Sequence, residues 1–252
     1  MSQPQGPRPL VEPRSTGDRR LDALARVLAI VDRLRASDGC PWDREQTVAS
    51  LAPSLVEEAH EAVEAIDRAS DRHTAAELGD LFMVIALISK VAEQENRFDL
   101  ATVASAVVEK LVRRHPHIFG EDPDLLSSLP TEARTASEVR ENWDAIKRGE
   151  TGGRDPFASM PENLPSLLYA AKLQRRGGEP ASAREALSEI TRALEEAARG
   201  ATAQESDREQ LYGRIGDLLF ACVKLARAVG ADPEIALRRS AEGFRARAGS
   251  AA

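Results

Sequence analysis

Apolar residues recur through most of the chain at the three- and four-residue steps of an amphipathic helix. Leu21, Leu24, Leu28 and Val31 form one such stripe, widened by Val27 and Leu34. The pattern predicts a core-facing helix from Asp18 that stops before Ser37-Asp38-Gly39. A second helix is expected from about Ala52 to Arg68, with Pro53 tolerated in its first turn. A third runs from near Asp71 to about Glu95 and contains eight consecutive apolar residues, Leu81 to Ile88, which predict a buried segment. A fourth spans roughly Asp99 to Arg114, opened by Asp99 as N-cap and stopped at His115-Pro116-His117. Between the first two helices, Gly39-Cys40-Pro41-Trp42-Asp43 reads as a compact turn in which Pro fixes φ and Gly admits a positive φ. Four helices with short connections predict an all-α antiparallel bundle over residues 18–119.

The pattern then weakens and returns. Residues 120–165 are richer in Pro, Gly, Ser and acids, with Trp143 on a short helical piece, and read as a linker. Beyond it, Gly79-Asp80-Leu81 is echoed by Gly216-Asp217-Leu218, and Asp99 through Arg114 finds a weaker counterpart in Asp232 through Arg247. The chain is therefore expected to hold two tandem helical bundle repeats, over 18–119 and 166–252, behind a disordered Pro- and Arg-rich tail at 1–17.

Two acidic motifs interrupt the apolar stripes of the first repeat: Glu57-Glu58-Ala59-His60-Glu61 and Glu77-Leu78-Gly79-Asp80. At about 100° per residue, Glu58 and Glu61 share a helix face, as do Glu77 and Asp80. The second face continues into Val84, Leu87 and Val91, so these acids enter a stripe otherwise suited to burial. Taking one ionised carboxylate out of water costs several kcal/mol unless a positive charge compensates. Four at close range call for a cation, and an all-oxygen ligand set points to Mg²⁺, with Mn²⁺ as a substitute.

In the second repeat this chemistry is lost. Aligning the repeats around each motif sets Glu189 against Glu58, but Ser188 against Glu57, Arg192 against Glu61 and Arg214 against Glu77. Only Glu189 and Asp217 keep their acids, and an Arg beside such a site replaces the cation instead of recruiting it. The second repeat is accordingly expected to be structural.

Charge and composition narrow the function further. A net charge of −7 argues against binding a nucleic acid polymer, which needs a basic footprint. Aromatics make up 4% of the chain, and the abundance of Ala, Leu, Glu and Arg favours helices over sheets. No stretch has the length of apolar sequence that a membrane span requires, so no membrane partner is expected. The two cysteines, Cys40 and Cys222, suggest no disulfide framework and are compatible with a reducing cytoplasm.

Four blocks in order along residues 21–119 resemble the MazG family of nucleoside triphosphate pyrophosphohydrolases: Gly39-Cys40-Pro41-Trp42-Asp43 with Gln46-Thr47, Glu57-Glu58-x-x-Glu61, Glu77-Leu78-Gly79-Asp80, and Lys110-x-x-Arg113-Arg114-His115-Pro116-His117. Trp143-Asp144-Ala145-Ile146-Lys147 and Gly216-Asp217-Leu218-Leu219-Phe220 are similar to the two-repeat members. The resemblance implies hydrolysis of a nucleoside triphosphate to the monophosphate and pyrophosphate, with Mg²⁺ held by Glu58, Glu61, Glu77 and Asp80. Two-repeat relatives can carry the activity in the C-terminal half, but the losses there, and Gly243 at the counterpart of Lys110, assign it here to the first repeat. Glu57 is the candidate to orient or deprotonate the attacking water, and exchanging its role with Glu58 gives an equally workable mechanism. Lys110 and Arg114, one turn apart, with Arg113, are candidates to hold the phosphates, although cations there also suit a helix C-terminus. Trp42 either stacks on the base or plugs the turn. The resemblance further implies a homodimer, with the second repeat acting as an internal partner as the alternative.

Two other readings compete. Glu57-x-x-His60 has the spacing of a carboxylate-bridged di-iron site, but that motif occurs once where two are needed. Alternatively the acids form a solvated face on a non-catalytic helical interaction or regulatory module, which predicts no dependence on metal.

Overall fold

The computed structural model describes residues 12–119, isolated positions between 135 and 157, and 160–249 apart from 162, 179–181 and 203–207. All regular elements among the described residues are helices. The chain divides into two compact units, Met1–Arg134 and Thr135–Ala252, which are described separately below.

In the first unit, α1 (Arg19–Arg35) begins where Asp18 accepts a hydrogen bond from the Arg20 amide at 2.8 Å. The preceding segment, expected to be part of a disordered tail, is ordered against α1 from residue 12. Asp22 accepts from Ser15 Oγ at 2.6 Å and from the Thr16 amide at 2.7 Å, and Glu12 pairs with Arg26 at 2.8 Å. Residues 1–11 of that tail lie outside the described residues. The expected turn at Pro41 is instead a short helix, α2 (Pro41–Glu45). Gly39 does not use a positive φ there. A Cβ on it would lie 2.1 Å from the Leu34 carbonyl oxygen, so glycine is required for the close return of the chain onto the end of α1.

Helix α3 (Val48–Asp67) starts four residues before the expected Ala52. Thr47 and Ser50 form a reciprocal capping box, at 3.1 and 2.9 Å, which anchors the first turn ahead of Pro53. Helices α4 (Asp71–Gln94) and α5 (Leu100–Arg114) match their expected spans to within a residue. Asp99 caps α5 through the Thr102 amide at 2.7 Å. A one-turn helix, α6 (Pro116–Phe119), follows His115, whose Nδ1 lies 2.7 Å from the Leu111 carbonyl and so caps the end of α5.

Helices α3 and α4 pack along much of their length, and α1 crosses α4. The core joins Val31 of α1, Leu51 of α3, and Ala86, Leu87 and Val91 of α4. Arg35 clamps the bottom of this core. Its Nη1 donates to the carbonyls of Asp43 and Gln46, and its Nε and Nη2 donate to Gln94 Oε1 at 2.9 and 2.6 Å. Not every stripe finds a partner within the unit. Leu21 and Leu24 are exposed, and α5 contributes no buried residue.

The second unit repeats this order with α7 (Ser166–Gly177), α8 (Ala183–Thr202), α9 (Arg208–Ala228) and α10 (Pro233–Gly249). Helices α8 and α9 form the principal pair, as α3 and α4 do in the first unit, and α7 packs on α9 as α1 packs on α4. The seam is built from small residues: Ala186, Ala193 and Ala197 on α8, Ala221 and Val223 on α9. Asp232 caps α10 through the Glu234 and Ile235 amides at 3.0 and 3.1 Å. Most of the segment read as a linker lies outside the described residues. Ile146 within it, in the second unit, is 5% exposed.

Candidate functional site

The acidic motifs meet across the α3/α4 pair. Glu58 extends from α3, and Glu77 and Asp80 lie one turn apart on α4; one carboxylate oxygen from each falls within 4.8 Å of the others. This is the one grouping of potential metal ligands among the described residues. Glu61, one turn along α3, faces Glu77 closely enough for their carboxyls to share a hydrogen bond. Burial, and then the charges of Asp80, Glu61, Glu77 and Glu57, raise the Glu58 pKa above its ordinary value of 4.5. That of Glu61 is raised by burial, then chiefly by Glu77 and Glu57. The neighbours acting on both groups are carboxylates.

The cluster is less enclosed than the apolar pattern predicts. Glu58 and Glu77 are half-buried, whereas Glu57, Glu61 and Asp80 are exposed. The reason lies in α4: Leu78 is still 48% exposed, and the helix reaches the core only at Val84. The acids therefore line the open end of the helix pair, where a ligand has access. Ligand oxygens around an octahedral Mg²⁺ lie about 3 Å apart when adjacent and about 4 Å when opposite. The observed spacing needs only a small contraction of flexible side chains to reach that geometry. His60 is exposed on α3 and lies outside this grouping.

The remaining site candidates lie on α2 and α5. Trp42 is 62% exposed on α2 and plugs nothing. Lys110 is exposed, and Arg113 and Arg114 are half-buried, in the last turns of α5, which packs on α4 and α6. These cations lie on a helix adjoining the acid-bearing α4 and are absent from the charges that shift Glu58 and Glu61. Gly79 stands between the two acids of α4, and a Cβ there would meet no atom within 4 Å.

The second unit shows why its acids gather no such group. Glu189, the counterpart of Glu58, is paired with Lys224 Nζ at 2.5 Å. Arg214, at the position of Glu77, donates to the Glu196 carbonyl at 3.1 Å and so ties α9 to α8. The internal cation next to Glu189 is a lysine that the motif alignment did not single out. In the register that matches Gly216 to Gly79, Lys224 occupies the place of buried Leu87, and a charge in that apolar run was the available signal.

The MazG nucleotide pyrophosphohydrolase domain matches residues 46–119, which contain both acidic motifs and the basic end of α5. The chain is 34% identical over 235 residues to the nucleoside triphosphate pyrophosphohydrolase of Escherichia coli K12, covering 90% of this chain and 86% of that protein. It is 32% identical over 227 residues to the nucleoside triphosphate pyrophosphohydrolase/pyrophosphatase MazG of Thermotoga maritima, covering 86% and 81%. A 26.1 kDa protein of Streptomyces cacaoi is 31% identical, with 88% of this chain and 79% of that protein covered. With a relative above 30% identity along nine-tenths of its length and the matched domain lying over the carboxylate cluster, the chain belongs to the MazG family of nucleoside triphosphate pyrophosphohydrolases.

Proposed function

We propose that the first repeat hydrolyses nucleoside triphosphates to the monophosphate and pyrophosphate, with Mg²⁺, or Mn²⁺ in its place, held by Glu58, Glu61, Glu77 and Asp80. The observation that supports this most is the meeting of Glu58, Glu77 and Asp80 oxygens within 4.8 Å of one another, on the segment that the family domain matches. Held by those four carboxylates, Mg²⁺ would supply charge neutralisation for the triphosphate and the departing pyrophosphate. The chain's own groups do the rest. Glu57 orients or deprotonates the attacking water, or exchanges that role with Glu58. The water oxygen bonds to the α-phosphorus, the bond to the bridging oxygen breaks, and pyrophosphate leaves with the electron pair. Lys110, Arg113 and Arg114 hold the phosphates, and the exposed face of Trp42 stacks on the base.

The same reading puts the enzyme in the cytoplasm, with cleansing of the nucleotide pool or control of alarmone levels as its purpose. No helix among the described residues is long and apolar enough to cross a membrane. It also makes the protein a homodimer, because Val107, Val108, Leu111 and Val112 form an exposed apolar stripe along α5 that a second copy would cover. The test is to incubate purified protein with each common nucleoside triphosphate and Mg²⁺. Equimolar pyrophosphate and monophosphate support the proposal, whereas orthophosphate alone, or no product, contradicts it.

A further inference from the structure

Trp42 stands on a helix that cannot hold its own shape. Helix α2 has five residues, too few for a helix to persist alone in water. Packing does not fix it either. Its two apolar side chains, Pro41 and Trp42, are exposed, and the one residue it buries is Asp43.

Hydrogen bonds to the backbone set the position of α2 instead. Arg35, the last residue of α1, donates through Nη1 to the carbonyls of Asp43 and Gln46, at the C-terminal end of α2. Carbonyls at the end of a helix favour a cation beside them. The same guanidinium is fixed from its other edge, where Nε and Nη2 both donate to Oε1 of Gln94, the last residue of α4, at 2.9 and 2.6 Å. Gln46 continues the chain of contacts. Its Nε2 donates to the Trp42 carbonyl at 3.0 Å, and its Oε1 accepts from Ser50 Oγ at 2.8 Å in the first turn of α3. The backbone that carries Trp42 is thus tied to α1, α3 and α4 together. Arginine suits this task because its planar fork carries donors along two edges. The three donors of lysine radiate from one atom and do not reproduce that fork.

We propose that Arg35 is a positioning residue for base recognition: by bridging Gln94 to the Asp43 and Gln46 carbonyls, it holds α2 so that the exposed ring of Trp42 is presented to the nucleobase. The inference rests on the assignment of Trp42 to base stacking, and Arg35 acts through Trp42 without touching substrate. A ring fixed before the nucleotide arrives loses less freedom on stacking, so the clamp contributes to affinity for the base and not to the chemistry at phosphorus.

The test compares Arg35→Lys, Gln94→Met and Trp42→Ala with the native chain. Arg35→Lys is expected to raise KM for a nucleoside triphosphate by about fivefold or more while kcat stays within about twofold, the mark of lost binding common to ground and transition states. Gln94→Met changes an exposed side chain, is expected to raise KM by a smaller factor, and tests the clamp even if Arg35→Lys does not fold. Inorganic tripolyphosphate has no base, so its inhibition constant is expected to be the same in all four proteins. Adding Arg35→Lys to Trp42→Ala is expected to raise KM no further, because the two act as one unit. Without substrate, a Trp143→Phe chain leaves Trp42 as the sole tryptophan, and Arg35→Lys in it is expected to widen the fast motion seen in the fluorescence anisotropy decay. A native KM in Trp42→Ala overturns the stacking reading and the proposal with it. A raised KM in Trp42→Ala with native values in Arg35→Lys and Gln94→Met overturns the clamp alone. So does a tripolyphosphate constant that weakens in step with KM, or an anisotropy decay that Arg35→Lys leaves unchanged.

Discussion

The two repeats solve the same electrostatic problem in opposite ways. Each sets a glutamate of its central helix pair, Glu58 or Glu189, against a glycine-aspartate step on the facing helix. In the first repeat the charges that shift Glu58 and Glu61 are negative, and both acids are pushed toward holding protons. In the second, Lys224 supplies the counter-charge from within the chain, and Arg214 crosses to the neighbouring helix. The second repeat carries its own counter-charge, whereas the acids of the first are left with mutual repulsion that a bound metal would relieve.

Importing one residue from the second repeat into the first would collapse this difference. Glu77→Arg is expected to abolish pyrophosphate release, yet to raise the melting temperature of the metal-free protein, because the guanidinium relieves Glu58 and Glu61. A drop in that melting temperature would show that repulsion does not limit the stability of the α3/α4 pair. Milder changes test the ligand set itself. Glu61→Gln and Asp80→Asn are each expected to lower turnover by roughly a hundredfold or more, with helix content preserved by circular dichroism, since each removes a charge that neutralises metal. By contrast, Arg214→Ala in the second repeat loosens the tie to Glu196 and lowers thermal stability while leaving pyrophosphate release within about twofold. Loss of activity there would show that the second repeat takes part in the reaction.

A pH dependence follows from the same charges. Glu58 and Glu61 have folded-state pKa values above their ordinary 4.5, so the folded chain binds their protons more tightly than the unfolded chain does. Their destabilising effect is therefore full at neutral pH and is relieved as pH falls through the raised values toward 4.5. Asp18, Asp22 and Asp99 act in the other direction. Their pKa values lie below 3.8, so the stability they contribute is lost only at lower pH. Melting of EDTA-treated protein is expected to rise as pH falls from neutral toward 4.5, and saturating Mg²⁺ is expected to flatten that rise. A flat profile without metal would contradict the coupling of the acids.

The smallest expected effect concerns Gly79. No atom stands within 4 Å of a Cβ there, so Gly79→Ala removes a helix-weakening residue and should stabilise α4 by about 0.5–1 kcal/mol. If turnover falls while stability rises, the open face at Gly79 serves the approach of substrate.

What could be read from the sequence was what depends on local spacing. The spans of α4 and α5 and the cap at Asp99 follow from periodicity and capping chemistry, and the shared faces of Glu58 with Glu61 and Glu77 with Asp80 from helix geometry. Where competing local signals exist, the reading slipped. Pro53 suggested a helix start, but the Thr47–Ser50 box sets it four residues earlier, and α2 at five residues is too short to show a period. Burial was misjudged at the acids because periodicity gives the direction of a side chain and not how far the neighbouring helix extends over it. The pairing of Glu189 with Lys224, the Arg35 clamp and the Gln174–Arg227 contact span 35 to 59 residues and depend on how helices pair, which spacing along the chain does not encode.

The most direct test of the account is calorimetric titration of Mg²⁺ into the full chain in the presence of a non-hydrolysable nucleoside triphosphate analogue, for the native sequence and for Asp80→Asn. Saturable uptake of Mg²⁺ by the native chain, lost or weakened at least tenfold in Asp80→Asn, is the result the carboxylate cluster predicts. Uptake that is absent, or that is the same in both proteins, would contradict it.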